Sequence, residues 1–279
     1  MTIKTLVQLS DPHIKLPGAR AYGRVDTAQF LRQAVQAVQR LKQAPHAVVV
    51  TGDLTDFGRA DEYAHLRELL QPIGCPLYLL PGNHDEREGL RTAFPEHGYL
   101  RNETPFIQYA VDLGGLRLVA VDTVVPHASH GEVCAERIDQ LAQLLAQDTV
   151  TPTIVAMHHP PFRTLIGHMD DIGLRNPAAL EAVVARHPQV RRVICGHLHR
   201  PIQALWANTL AMTAPSTAHQ VCLDLADDAP SAFTMEPPGF LVHAWTEAGD
   251  VVSHVVPVGP AGPFEGPFPF HEDDGQLID

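Results

Sequence analysis

The chain has 279 residues, 45% of them hydrophobic and 19% charged, with 32 acidic against 20 basic side chains. That length can bury one sizeable core, and no apolar run approaches the roughly 20 residues that a membrane-spanning helix needs. The acidic balance, with no Lys/Arg cluster, excludes the electrostatic footprint of a polymeric nucleic-acid binder, whereas a small phosphate ester stays open because bound cations can supply positive charge.

The start, Met1 to Asp11, lacks the long apolar stretch and small-residue cleavage site of a secretory signal, so the expected location is the cytoplasm. Thr5 to Leu9 is a short β-rich run and ends in Asp11-Pro12-His13. Asp26, with Gln29 three residues on, predicts the start of an amphipathic helix carrying Leu31, Ala34, Val35, Val38 and Leu41. A second strand, Ala47 to Thr51, runs into Gly52-Asp53-Leu54-Thr55-Asp56, and helical spacing follows over 60–70. Leu77 to Leu80 ends in Gly82-Asn83-His84-Asp85, where Asp85 is expected to open the next helix.

Phe106 to Val121 alternates around Gly114-Gly115 as a hairpin, and 133–146 returns to helical spacing. Thr153 to Met157 then leads into His158-His159-Pro160-Pro161, 177–186 is helical, and Val190 to Cys195 ends in Gly196-His197-Leu198-His199. Phe240 to Val256, around Gly249-Asp250, predicts a second hairpin, and the two hairpins suggest a mixed sheet in the second half. From Pro257 to Asp279 the chain is an irregular tail rich in Pro, Gly and acid, whose Phe264, Phe268 and Phe270 are candidates to dock on the body or on a second subunit. Residues 1–256 are thus expected to form one catalytic domain. Cys75, Cys134, Cys195 and Cys222 are far apart, with no C-x-x-C pair, and fit reduced thiols better than disulfides or a zinc site.

Each of the five strands is followed at once by a cluster of Asp, Asn or His. Ligands of open α/β sheets bind outside the carboxyl ends of strands, so the clusters can converge on one crevice. Carboxylate oxygen, amide oxygen and neutral imidazole are donors for Mn, Fe, Zn or Co divalent ions. Asp11, His13, Asp53, Asn83, His158, His197 and His199 are too many ligands for one ion, but suit two ions that share a carboxylate. The glycines before Asp53, Asn83 and His197 let the backbone leave each strand sharply.

In this order D-x-H, G-D-x-x-D, G-N-H-D, a strand-end His and G-H-x-H resemble the full signature of the calcineurin-like metallophosphoesterases. HHPPF with GHMDDIGL, TAPSTAHQ and MEPPGF is similar to the bacterial class III cyclic nucleotide phosphodiesterases and related glycerophosphodiesterases within that superfamily. The resemblance implies an α/β two-sheet sandwich of mixed sheets flanked by helices. It also implies one ion on Asp11, His13, Asp53 and His199, a second on Asp53, Asn83, His158 and His197, and a hydroxide bridging them as nucleophile. Mn²⁺ or Fe²⁺ are the favoured ions, with Zn²⁺ or Co²⁺ also accommodated.

By the same resemblance His84 reaches the phosphate and helps the leaving alkoxide depart, as general acid or hydrogen-bond donor. Asp56 is expected to hold the other ring nitrogen of His84. Asn83, His84, His159, His168 and His219 are expected to meet substrate, with His158 rather than His159 facing the ions, and Asp170 and Asp171 are weighed as pocket residues beside them. Tyr22 and Arg24, on the loop after the first cluster, are weighed as substrate contacts but fit a solvated loop better, and Trp206 and Trp245 fit the core or an interface better than a base-stacking platform. Phosphoprotein phosphatases carry Arg after G-D-x-x-D to clamp a dianionic monoester; Phe57 stands there in this chain, which points to diesters. A scaffold without activity would be free to lose ligands, and none is missing. A homo-oligomer is expected, with 163–175 and 240–256 as candidate lid or dimer elements.

Overall fold

The computed structural model describes residues 3–101 and 104–259; the three phenylalanines of the tail lie outside them. From β1 (Lys4–Leu9) the chain passes through α1 (Thr27–Gln39) to β2 (Ala47–Thr51), through α2 (Ala60–Leu70) to β3 (Leu77–Leu80), and on to α3 (Arg87–Ala93). It continues with β4 (Tyr109–Asp112), β5 (Arg117–Val121), β6 (Gly131–Glu132), α4 (Ala135–Ala146), β7 (Thr153–Met157), α5 (Gly167–Asp170), β8 (Leu174–Arg175) and α6 (Ala178–Ala185). The last third is all strand: β9 (Val190–Cys195), β10 (Gln203–Trp206), β11 (Thr209–Thr213), β12 (Gln220–Val221), β13 (Phe233–Thr234), β14 (Gly239–Trp245) and β15 (Val251–Pro257).

Two mixed sheets carry the fold, in the orders β15-β14-β1-β2-β3 and β10-β11-β9-β7-β5-β4. The inner strands of each are parallel, while β14 and β15 on one sheet and β4 and β10 on the other run antiparallel. The second sheet divides its side chains by the two-residue period of a strand. Leu118, Ala120, Ile154, Ala156, Ile194 and Met212 join the core shared with the first sheet. Val119, Val121, Val155, Met157, Val193 and Cys195 pack against Leu141 and Leu145 of α4 and Leu180, Val183 and Val184 of α6. On the other side Leu31, Ala34, Val35 and Val38 of α1 and Tyr63, Leu66, Leu69 and Leu70 of α2 cover the first sheet. The result is the expected sandwich of two sheets between helices.

Two features depart from the expectation. The C-terminal hairpin does not build a sheet in the second half: β14 pairs with β1, from Lys4 opposite Trp245 to Gln8 opposite Leu241, and so extends the sheet begun by the N-terminus. Alternation identifies a hairpin but not its neighbour. The hairpin β10–β11 was not anticipated either, because its turn residues Ala207 and Asn208 both have positive φ, 50° and 62°, and alanine is no signal for such a turn.

A buried polar relay fixes the sheets to each other behind the strand ends. Gln8 Nε2 donates to Cys195 O on the opposite sheet (2.9 Å) and to Thr51 Oγ1 (2.9 Å), and its Oε1 meets His243 Nε2 at 3.1 Å. Every atom in this relay is buried, so breaking it would leave an unpaired polar group at a cost of about 1–3 kcal/mol.

Candidate metal centre

The five polar clusters do meet, at the carboxyl ends of β1, β2, β3, β7 and β9. Their backbone is strained in one consistent way: Asp11, His13, Asp53, His197 and His199 all have positive φ, from 44° to 69°. Residues with a side chain rarely adopt that conformation, and it persists where surrounding structure holds it. Here the loops hold one another through His13 N to Asp53 O (2.9 Å), Asp11 N to Gly52 O (3.2 Å) and His197 N to Asp11 Oδ1 (2.9 Å). Close approach also demands the glycines. A Cβ at Gly82 would stand 2.2 Å from Asp53 Oδ1, one at Gly52 2.3 Å from His158 Nδ1, and one at Gly196 2.4 Å from Ser10 Oγ.

Asp53 lies at the centre with its two oxygens turned to different partners. Oδ2 faces His13 Nε2 at 3.5 Å, and Oδ1 faces His158 Nε2 at 3.3 Å. On the first side His13 Nε2 and His199 Nε2 are 3.1 Å apart, and Asp11 Oδ1 is 3.6 Å from His199 Nε2. On the second, His158 Nε2 is 3.1 Å from Asn83 Oδ1, and the His197 ring centroid is 5.1 Å from that of His158.

The imidazoles are oriented from behind. His158 Nδ1 meets Thr51 O at 2.9 Å and His199 Nδ1 meets His219 O at 3.1 Å, so both carry a hydrogen on Nδ1 and turn Nε2 to the centre, where an ion would take the place of any proton there.

These residues fit a divalent metal. Asp11, His13, Asp53 and His199 offer ligand atoms that all lie within 4.8 Å of one another. Asp11 Oδ2 and His197 Nε2 are buried with no hydrogen-bond partner, a costly arrangement unless a cation takes their lone pairs. The cluster's field is also strong. Burial alone would depress His158, yet the carboxylates of Asp53 and Asp11 push it up to about 9, while burial raises Asp11 to about 6. Burial and the neighbouring His158 charge bring His197 down to about 3, which keeps its imidazole neutral.

Two expected roles change. The Asp56 carboxylate does not reach His84. Its Oδ2 binds Lys15 Nζ and its Oδ1 lies 3.4 Å from His13 Nδ1, and it is the backbone carbonyl of Asp56 that meets His84 Nδ1 at 2.8 Å. The lysine, itself set over the Phe57 ring at 4.2 Å, draws the carboxylate to that side. The Asp56 side chain thus lies against Lys15 and His13, and only its main chain meets His84. Asp56→Asn is expected to weaken metal binding by about 10- to 100-fold, measured by competition with a chelator. Unchanged metal affinity with an altered pH profile of kcat would return the carboxylate to His84.

His159 is the second correction, for it is fully buried and not on the cavity wall. Its Nδ1 pairs with Thr123 Oγ1 at 2.8 Å and its Nε2 with Ser129 O at 3.1 Å. With both ring nitrogens engaged it has none left for substrate or for an ion, although it adjoins His158 and His197.

The cavity in front of the cluster has a volume of about 390 Å³ and is lined by Asn83, His84, His168 and His219 among the expected substrate residues. Asp170 and Asp171 do not line it; Asp170 instead accepts from Thr164 N (2.7 Å) and Leu165 N (3.0 Å) and shapes the loop before α5. Asp85 does not cap α3, where Glu86 does so. Its carboxylate takes Gly82 N, Leu54 N and Thr55 N at 2.9–3.1 Å and fastens two ligand loops together. Tyr22 and Phe233 line the cavity too. Tyr22 follows the first cluster on its loop, whereas Phe233 carries no periodic or motif signal and only the fold brings it there.

Asp, Asn and His donors gathered at the strand ends of a two-sheet sandwich could hold a divalent metal. The chain belongs to the calcineurin-like phosphoesterase family, which matches residues 4–201. It is 35% identical to a probable glycerophosphodiester phosphodiesterase of Arcobacter nitrofigilis over 98% of this chain and 99% of that protein. It is 32% identical to a cAMP/cGMP dual specificity phosphodiesterase of Mycobacterium tuberculosis, over 91% of this chain and 79% of that protein. Among solved structures, a dimetal phosphatase from Danio rerio has the same fold, with a TM-score of 0.67 at 15% identity, covering 92% of this chain and 96% of that one.

Proposed function

We propose that the protein hydrolyses small phosphodiesters at a centre of two divalent ions, with 3',5'-cyclic nucleotides as the favoured class. The observation that carries this reading is Asp53, whose oxygens face His13 and His158 separately at 3.5 and 3.3 Å. Asp11, His13, Asp53 and His199 would hold one ion, and Asp53, Asn83, His158 and His197 the other. When bound, such a pair polarises the phosphoryl oxygens and generates a nucleophile from water at neutral pH. Mn²⁺ or Fe²⁺ suit the mixed imidazole and oxygen donors best, and Zn²⁺ or Co²⁺ also fit.

The chain's own contribution is orientation and proton transfer. The Asp56 carbonyl fixes the His84 ring through Nδ1, and the ring lies on the cavity wall with Nε2 left to exchange a proton with the leaving oxygen. The bias toward diesters has a physical basis, since among the described residues no lysine or arginine lines the cavity. Phe57, with Lys15 and Arg59 over its ring at 4.2 and 4.7 Å, stands where an arginine would clamp a dianion. A diester has one less charge to neutralise.

The names of the relatives divide between cyclic nucleotides and glycerophosphodiesters, so broad glycerophosphodiesterase activity is the competing reading. Comparing kcat/KM for 3',5'-cAMP, 2',3'-cAMP, glycerophosphoethanolamine and a phosphomonoester under several metals separates them. Diesters are expected to exceed the monoester by about tenfold or more, the worth of one unmatched charge contact. A preference for the monoester would overturn the reading of Phe57.

We further read the chain as a homo-oligomer, because β15 is an edge strand with Val252 and Val255 about half exposed. Light scattering on the purified protein tests this, with a monomeric mass contradicting it.

A further inference from the structure

The wall of the cavity beside the metal centre is aromatic. Tyr22 and Phe233 stack with ring centroids 4.9 Å apart and an interplanar angle of 27°, and His219 meets both edge-on at 5.3 and 5.2 Å. The His219 ring in turn lies 4.7 Å from His199 and 5.8 Å from His13, which places the stack directly next to the first donor group.

The stack is held from behind and open in front. Phe233, on β13, packs against the small cluster of Ala21, Val25 and Ala218. Tyr22 sits on a tight loop closed by Ala21 N to Val25 O and Val25 N to Ala21 O, both 2.9 Å. Its φ of 52° is one that a bulky residue rarely adopts, yet the residue is 62% exposed. Strain at a large, exposed aromatic on the rim of a site calls for a reason other than stability.

We infer that Tyr22 and Phe233 form a specificity-determining subsite that takes a flat aromatic ring carried by the phosphodiester, such as a nucleobase, stacked on the Tyr22 face while the phosphate lies at the metal centre. This rests on the phosphodiesterase reading. Base–aromatic stacking needs only a π face and no edge-reading hydrogen bonds. That matches a wall whose other lining residues nearby are Val221, Ser231 and Ala232. A quaternary ammonium head group would use the same rings differently. It is best enclosed by walls at angles to one another and drawn by a carboxylate; here the two rings are nearly parallel, and Asp53, the only acid among the described cavity residues, lies in the cluster that would hold the metal.

The test uses the metal-loaded protein and the variants Tyr22→Ala, Tyr22→Phe and Phe233→Leu. KM and kcat are measured for 3',5'-cAMP, glycerophosphoethanolamine and glycerophosphocholine, together with competitive inhibition by adenosine. Tyr22→Ala is expected to raise KM for 3',5'-cAMP, and the inhibition constant of adenosine, by about 5- to 100-fold. The ratio of kcat/KM for 3',5'-cAMP over glycerophosphoethanolamine should fall by a similar factor. Tyr22→Phe, which keeps the ring, should retain the ratio, and Phe233→Leu, which keeps apolar volume without a flat backing, should lower it. Equal changes for all substrates, or unaltered adenosine inhibition, would overturn the subsite. So would a loss confined to glycerophosphocholine, which would assign the rings to an ammonium group. If the unsubstituted protein hydrolysed no diester, the phosphodiesterase reading would fail by itself, while adenosine binding would still decide the subsite.

Discussion

Asp53→Ala is expected to lower phosphodiester turnover by about 10³-fold or more, the scale of losing several kcal/mol of metal-borne transition-state stabilisation. Asp53→Asn should weaken both metal sites at once. The reason is geometric: one oxygen of the carboxylate faces the His13 side and the other the His158 side, and Asp53 Oδ1 also accepts from His84 N at 3.0 Å. An amide offers one oxygen and a nitrogen that cannot ligate, so one side loses its donor while the other loses the charge that draws it in. Metal content by elemental analysis, alongside kcat for a diester, reads both effects. Retention of two tightly bound ions in either variant would place the bridge elsewhere.

His84→Ala should lower kcat by about 10²- to 10⁴-fold, the usual contribution of a positioned general acid, and leave metal content unaltered. His84 stands on the cavity wall with its ring 4.7 Å from that of His13, edge to face, and its Nδ1 tied to a main-chain carbonyl. A carbonyl cannot ionise, so it fixes the ring without adding the charge that a carboxylate partner would bring. The loss should shrink for substrates with good leaving groups such as p-nitrophenolate, which need no proton. An equal loss for alkyl and p-nitrophenyl diesters would show that His84 acts on phosphate binding instead.

Much of this was legible in the sequence, and for a definite reason. Val48, Val49, Val50 or Ile154, Val155, Ala156 are continuous apolar runs of the kind parallel strands buried on both faces require, and a polar cluster at the end of each has few structural uses. The glycines at 52, 82 and 196 mark places where no Cβ fits. Side-chain direction was not legible. The sequence suggests His84 as the partner of Asp56; Lys15, two residues after His13, draws the carboxylate away through a contact visible only in the folded chain. His158 and His159 are identical in type and adjacent, and only the pleat separates the one facing the centre from the one tied to Thr123 and Ser129.

Contacts between distant loops were beyond the sequence for a different reason. Tyr22 comes from the loop after β1 and Phe233 from a two-residue strand, β13, paired with β12. Neither element is long enough to show a period. The place of β14 beside β1 is similarly a matter of which strand edge is free, a property of the whole sheet.

On the proposed function, the clustered Asp, Asn and His residues form one binuclear centre that hydrolyses phosphodiesters. It is tested most directly by stripping the protein with a chelator, titrating Mn²⁺ back, and following bound metal and bis(p-nitrophenyl)phosphate hydrolysis together. The expected result is no turnover without metal, and recovery that tracks the filling of two sites per chain. Turnover that persists in chelator, or full activity with a single ion bound, would contradict it.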